Sequence, residues 1–151
     1  RRCAQDIEAA LQRIGRSLES FETLLDFGCG CGRYLVLLFA NRTGMPRCYG
    51  TDIDSEAIAW CQSNLPFGEF RTNAPLPPLP FGSQTFDLIL AVSVFAHLDE
   101  DRQNLWLEEL RRVARPGADL ARYGSLAALG VLAALLAAFM AAAVVRRRAG
   151  P

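Results

Sequence analysis

The 151-residue chain contains no lysine; all 16 of its basic residues are arginine. No side chain can therefore act as an amine nucleophile or form a Schiff base, and no phosphate-loop lysine is present. Histidine is nearly absent as well, with His97 standing alone. The five cysteines, Cys3, Cys29, Cys31, Cys48 and Cys61, include one C-x-C but no spaced C-x2-C pairs. That pattern fits no zinc site, and an odd count fits no secreted disulfide framework. Small, reduced thiols and no metal are expected. Net charge is missing too, since 16 acidic residues balance the arginines. A chain without excess positive charge is poorly built to neutralise a phosphate backbone, so no nucleic-acid partner is expected. Residues 1–20 carry alternating charges and no apolar run, so no secretory leader is expected in that stretch.

What remains is ordinary globular material. Hydrophobic residues make up 51% of the chain and charged residues 21%, which excludes a disordered polypeptide and supplies a core. Ile7, Leu11, Ile14 and Leu18 form one stripe of a helix over residues 4–20. Thr23-Leu24-Leu25-Asp26-Phe27 reads as a strand that runs into a glycine turn, Gly28 to Gly32. Residues 33–40 are apolar nearly all round and predict a buried helix. A second strand covers 47–51, and Asp54 or Ser55 suits the cap of a helix over 56–63. A weaker strand at 69–71 precedes a loop with four prolines at 73–80. Phe86-Asp87-Leu88-Ile89-Leu90-Ala91-Val92 is the clearest strand, a run suited to burial on both faces. A charged helix over 99–115 follows, with Trp106, Leu110 and Val113 inward and a Glu108–Arg112 pair outward. Pro116-Gly117 ends it. Strands alternating with helices predict an α/β fold with a parallel sheet and ligand binding at the strands' carboxyl ends.

Those ends carry distinctive residues. Asp26-x-Gly28-x-Gly30-x-Gly32 offers a backbone that a ligand can approach directly, since no Cβ intervenes. Asp52 closes the next strand, twenty residues after Gly32; a carboxylate there can accept both hydroxyls of a ribose. Asn73-Ala74 follows the third strand and can address an adenine edge. The glycine order differs from the Gly-x-Gly-x-x-Gly of nicotinamide-binding domains.

Together these segments resemble class I S-adenosylmethionine-dependent methyltransferases. Leu24 to Arg33 resembles the first motif of that family and Tyr49 to Ile58 the second. Residues 77–97, with Leu79-Pro80-Phe81, Phe86-Asp87-Leu88-Ile89 and His97-Leu98, resemble the third and fourth. Arg111-Arg112-Val113-Ala114-Arg115-Pro116-Gly117 resembles the end of the following helix. The resemblance spans about residues 20–118 and implies a Rossmann-like three-layer sandwich. It implies S-adenosylmethionine as cofactor. Gly28, Cys29 and Gly30 would pass under its methionine and ribose, and Asp26 would orient the amino-acid end. Asp52 would hold the ribose hydroxyls, Ile53 would pack on the adenine, and Asn73 with Ala74 would face the adenine amino group. Ser93 would line the methyl-transfer end, and His97 is the candidate general base. The cysteines Cys29 and Cys31 also suit plain packing, His97 also suits a structural role, and Asp54 suits a helix cap. The segment Ala91-Val92-Ser93-Val94 lacks the Asp/Asn-Pro-Pro-aromatic signature of amino-directed base methylation. A small-molecule or lipid-like acceptor is the expectation, the alternative being a non-catalytic cofactor-binding module or an inactive fragment.

After Gly117 the resemblance stops where the family continues into a fifth strand. The expectation is an incomplete domain over 1–118, truncated after the fourth strand and its helix, followed by a separate apolar segment over 119–151. Residues 123–145 carry no charge and are followed by Arg146-Arg147-Arg148. Such a run is long enough to cross a bilayer as a helix. It also suits a soluble helix covering the edge of the fourth strand, or out-of-frame translation of GC-rich DNA. A cytoplasmic domain, anchored to a membrane through 123–145, and self-association through the exposed sheet edge are the corresponding expectations.

Overall fold

The computed structural model describes residues 2–123. Five strands form one wholly parallel sheet: β1 (Thr23–Phe27), β2 (Arg47–Asp52), β3 (Gly68–Thr72), β4 (Phe86–Val92) and β5 (Ala114–Tyr123), in spatial order β3-β2-β1-β4-β5. The chain runs outward from β1 to β3 and then crosses to β4 on the other side of β1, so the order switches between β1 and β4 and opens a crevice at their carboxyl ends. The helices are α1 (Arg2–Arg13), α2 (Arg33–Phe39), α3 (Ser55–Asn64) and α4 (Glu100–Val113).

Alternation along the strands sorts their side chains into two layers. Leu24, Cys48, Phe70, Leu88, Leu90 and Val92 pack with Ile7 and Leu11 of α1, Leu35 and Leu38 of α2, and Ile58 and Cys61 of α3. On the opposite face Leu25, Phe27, Ile89 and Ala91 meet Trp106, Leu110 and Val113 of α4. Leu79 and Phe81 of the proline-rich loop join that second layer, so the loop takes the place a crossover helix would fill between β3 and β4. The three-layer α/β/α arrangement agrees with the sequence reading.

Several details differ. The expected four-stranded sheet has a fifth strand, because Ala114 begins extended backbone directly after α4. Pro116 and Gly117 lie inside that strand rather than beyond a stop. They fall in the register shift where Phe86 pairs with Ala114 and Leu88 with Asp119, and Gly117 has φ +83°. On an outer strand a missing proline N–H interrupts no second ladder. The expected truncation after α4 and the exposed edge of β4 are therefore both replaced by β5, which pairs with β4 as far as Tyr123. The first helix ends at Arg13, and Gly15 turns the chain at φ +71°, which leaves Ile14 45% exposed outside the stripe. Helix α2 is not buried all round: Leu35 and Leu38 are buried while Val36 and Leu37 are partly exposed.

Among the described residues no helix is long and apolar enough to cross a membrane. Tyr123, the first residue of the uncharged run, closes β5; the rest of that run, and with it the expected anchor, lies outside the described residues.

Candidate cofactor site

The carboxyl ends of β1, β2 and β3 are tied together by short backbone links. Thr51 of β2 accepts hydrogen bonds through its carbonyl from Gly28 N–H (2.7 Å) and Cys29 N–H (3.0 Å). Asn73 N–H donates to the Asp52 carbonyl at 3.0 Å. The turn after β1 is thereby fastened to the end of β2, and the chain after β3 to the same point.

Asp52 is the hub. Its Oδ2 accepts from Gly30 N–H at 2.7 Å and its Oδ1 from Asp54 N–H at 3.0 Å. A carboxylate has about four acceptor positions, so each oxygen retains capacity for one further donor. Asp54 is the cap of α3, accepting from Glu56 and Ala57 N–H; its carboxylate is thus engaged away from the ligand side. Ile53, between the two, is 62% exposed, an apolar side chain standing free beside the hub.

The glycines of the turn are not equivalent. At Gly30 (φ +52°) a Cβ would meet nothing within 4 Å, so open space faces the backbone there. At Gly28 (φ +75°) a Cβ would stand 2.2 Å from Val94 Cγ2. Gly28 therefore makes room for a neighbour within the chain, and Gly30 supplies the open backbone. Val94 reaches that position because Ser93 adopts φ +62°, a left-handed conformation that non-glycine residues rarely hold outside constrained sites.

Three buried side chains near this crevice carry four acceptor atoms that have no hydrogen-bond partner among the described residues. Both carboxylate oxygens of Asp26 are unmet, and Asp26 is 1% exposed. Burial, together with the charge of Asp52, raises its pKa to about 7. Asn73 keeps Oδ1 unmet, its amide nitrogen donating to the Ala74 carbonyl at 2.8 Å. Thr51 Oγ1 is the third. Buried polar atoms are normally satisfied; unmet acceptors grouped at strand ends fit a ligand that brings donors. An ammonium suits Asp26, ribose hydroxyls suit the spare capacity of Asp52, and an amino group suits Asn73. S-adenosylmethionine carries all three kinds of donor, and the residues present fit it.

The structure brings Asp26, Gly28, Gly30, Asp52, Ile53 and Asn73 to one end of the sheet. The Cys29 side chain is buried in the α1–α3 layer, and its Sγ lies 2.9 Å from where a Gly50 Cβ would stand. It packs the turn from below and leaves the ligand side to the backbone. Ala74 takes part through its carbonyl, which orients Asn73. Ser93 and His97 are exposed on the segment after β4, His97 at the end of the 3-10 turn Phe95–His97. The sequence assigns no role to Val94 or, although it lies within the second motif, to Thr51; their roles come from contacts between separate segments of the chain. Among the described residues no group of His, Cys, Asp or Glu could hold a metal ion.

A five-stranded parallel Rossmann-like sheet with this hub defines a class I S-adenosylmethionine-dependent methyltransferase domain. Residues 25–121 match the family described as "Methyltransferase domain", and the chain belongs to that family. It is 35% identical over 104 residues to an Arabidopsis thaliana tRNA (carboxymethyluridine(34)-5-O)-methyltransferase, covering 67% of this chain and 23% of that protein. A ribosomal protein L11 methyltransferase of Thiobacillus denitrificans is 31% identical over 81 residues, covering 54% of this chain and 26% of its own length. Among solved structures, a SAM dependent methyltransferase from Aquifex aeolicus superposes with a TM-score of 0.61 at 29% identity, covering 76% of this chain and 61% of that one. The chain thus spans about a quarter of each of these two curated relatives. Their names concern tRNA and a ribosomal protein, and lend no support to the expectation of a small acceptor.

Proposed function

We propose that this chain binds S-adenosylmethionine at the upper ends of β1, β2 and β3 and serves methyl transfer to a small-molecule or lipid-like acceptor. The observation that carries the cofactor reading is the set of unmet buried acceptors, Asp26 and Asn73, flanking the half-engaged Asp52 hub and the open Gly30 backbone. When bound, the cofactor supplies an electrophilic sulfonium methyl group, so the protein's part is largely positioning and exclusion of water. Asp26 would hold the ammonium, Asp52 the ribose hydroxyls, Ile53 the adenine face and Asn73 the adenine amino group. Ser93 and Val94 would form the wall beyond β4. His97 would take a proton from an acceptor that carries one.

The acceptor class rests on charge distribution. Residues 2–123 hold twelve arginines and all sixteen carboxylates, a net charge of minus four. The arginines that balance the whole chain lie largely at 146–148. A net-negative domain has no electrostatic drive toward a phosphate backbone, which supports a small or lipid-like acceptor over RNA.

Calorimetric titration with S-adenosylmethionine and S-adenosylhomocysteine tests the cofactor reading; absence of binding heat for both overturns it. Transfer of labelled methyl from S-adenosylmethionine is then compared between small-molecule and lipid fractions and bulk tRNA. Labelling of tRNA alone overturns the acceptor class. Binding with no transfer to any fraction marks the chain as a cofactor-binding module.

A further inference from the structure

Three cysteines surround the glycine turn, and the proposed function uses none of their thiols. Cys29 Sγ donates to the Gly30 carbonyl at 3.5 Å, and Cys61 Sγ of α3 donates to the same oxygen at 3.4 Å. Cys61 Sγ also lies 3.5 Å from where a Gly32 Cβ would stand. The Cys61 sulfur therefore abuts the backbone on both sides of Cys31. Cys31 is exposed, while Cys61 is fully buried. On its other side the Gly30 peptide donates to Asp52. Gly30 is thus held by the hub carboxylate through its N–H and by two thiols through its carbonyl.

We propose that Cys31 and Cys61 form a thiol–disulfide switch under peroxide, one that fastens the glycine turn to α3 and weakens cofactor binding. The sequence of events follows from exposure. Peroxide reaches the exposed Cys31, whose thiol becomes a sulfenic acid as one water leaves. The buried Cys61 thiol then attacks the Cys31 sulfur; an S–S bond forms, the S–OH bond breaks, and a second water leaves. Two thiols lose two electrons and two protons, and peroxide is reduced to two waters. Burial pushes the Cys29 and Cys61 thiols up, which keeps both from reacting first and leaves Cys61 the resolving partner. Once bonded to Cys31, Cys61 no longer donates to the Gly30 carbonyl. The turn loses one of its three holds, and Gly30 N–H shifts relative to Asp52. The functional consequence rests on the cofactor reading above; formation of the disulfide does not.

The test uses the whole chain, oxidised with equimolar hydrogen peroxide. Non-reducing peptide mapping should find the Cys31 and Cys61 peptides linked, and dithiothreitol should separate them. Titration with S-adenosylhomocysteine should show affinity falling about tenfold on oxidation, the effect of losing one favourable contact, and returning on reduction. The Cys31→Ser chain, altered at an exposed position, should bind equally with and without peroxide. Absence of the linked peptides, or equal affinity of the linked and reduced chains, overturns the switch. If the reduced chain binds no S-adenosylhomocysteine, the cofactor reading fails, and peptide mapping still decides whether the disulfide forms.

Discussion

Asp26 and Asp87 lie on neighbouring strands of one sheet and have opposite surroundings. Asp87, near the start of β4, accepts hydrogen bonds from Glu22 N–H (2.8 Å), Thr23 N–H (2.7 Å) and the Thr23 hydroxyl (2.9 Å). Burial alone would raise its pKa, but these bonds outweigh it and hold the carboxyl below its usual range. Asp26, near the end of β1, has no partner among the described residues, and burial takes its pKa to about 7. The amino ends of the strands are internally satisfied, so their carboxylate stabilises the fold. The carboxyl ends hold unmet polar groups, and that deficit marks the ligand side.

Breaking the satisfied end should have the largest effect on the fold. Asp87→Ala strands two backbone donors and should lower stability by about 3 kcal/mol, read from urea unfolding. An unchanged midpoint would show that the three bonds contribute little. Removing the hub should act on binding instead. Asp52→Ala should weaken S-adenosylhomocysteine binding about a hundredfold, through loss of charge-assisted hydrogen bonds and release of Gly30. Equal affinity would place the ribose elsewhere.

The unmet end should respond in the opposite sense. Folding raises the Asp26 pKa, so its contribution to stability is full at acid pH and is lost as pH rises toward and through about 7. Folding lowers the Asp87 pKa, so its contribution is present above the unfolded value and is lost as pH falls through the folded one. Asp26→Asn should therefore raise stability by about 1 kcal/mol at pH 8, flatten its fall between pH 5 and 8, and weaken cofactor binding. A variant less stable than the parent at pH 8 would contradict this assignment. The smallest effect concerns the loop. Glu109 Oε1 accepts from Leu79 N–H at 2.7 Å and from Arg112, and Arg112 Nη2 donates to the Phe81 carbonyl at 2.9 Å. Glu109→Gln should lower stability by a few tenths to about 1 kcal/mol in urea unfolding and leave affinity alone; a fall in affinity would extend the binding surface to the proline-rich loop.

Much of this contrast was legible in the linear chain. Short segments running into Gly28, Asp52 and Ser93 mark β1, β2 and β4, and the apolar run of β4, buried along nearly its whole length, leaves no alternation to misread. Asp26, Gly30 and Asp52 stand out by their place in the glycine turn and at the end of the next strand, and the family resemblance supplies the roles expected of them. β5 was not, because Arg115-Pro116-Gly117 carries the local chemistry of a helix stop, and only pairing with β4 makes it a strand. The i,i+4 spacing pairs Arg112 with Glu108, but in the structure Glu109 engages Arg112, because Glu109 lies toward the buried stripe and reaches the Leu79 N–H. Val94 over Gly28 and Cys61 on Gly30 are contacts between distant segments, which no local pattern records.

The Asp26 carboxyl is the most direct reporter of the central claim. Its pKa can be followed by carbon-detected NMR in the free chain and with saturating S-adenosylhomocysteine. The expected result is titration near 7 in the free chain, falling well below that when the ligand's ammonium meets the carboxylate. A pKa that stays near 7 in the saturated complex would contradict the assignment of Asp26 to the cofactor.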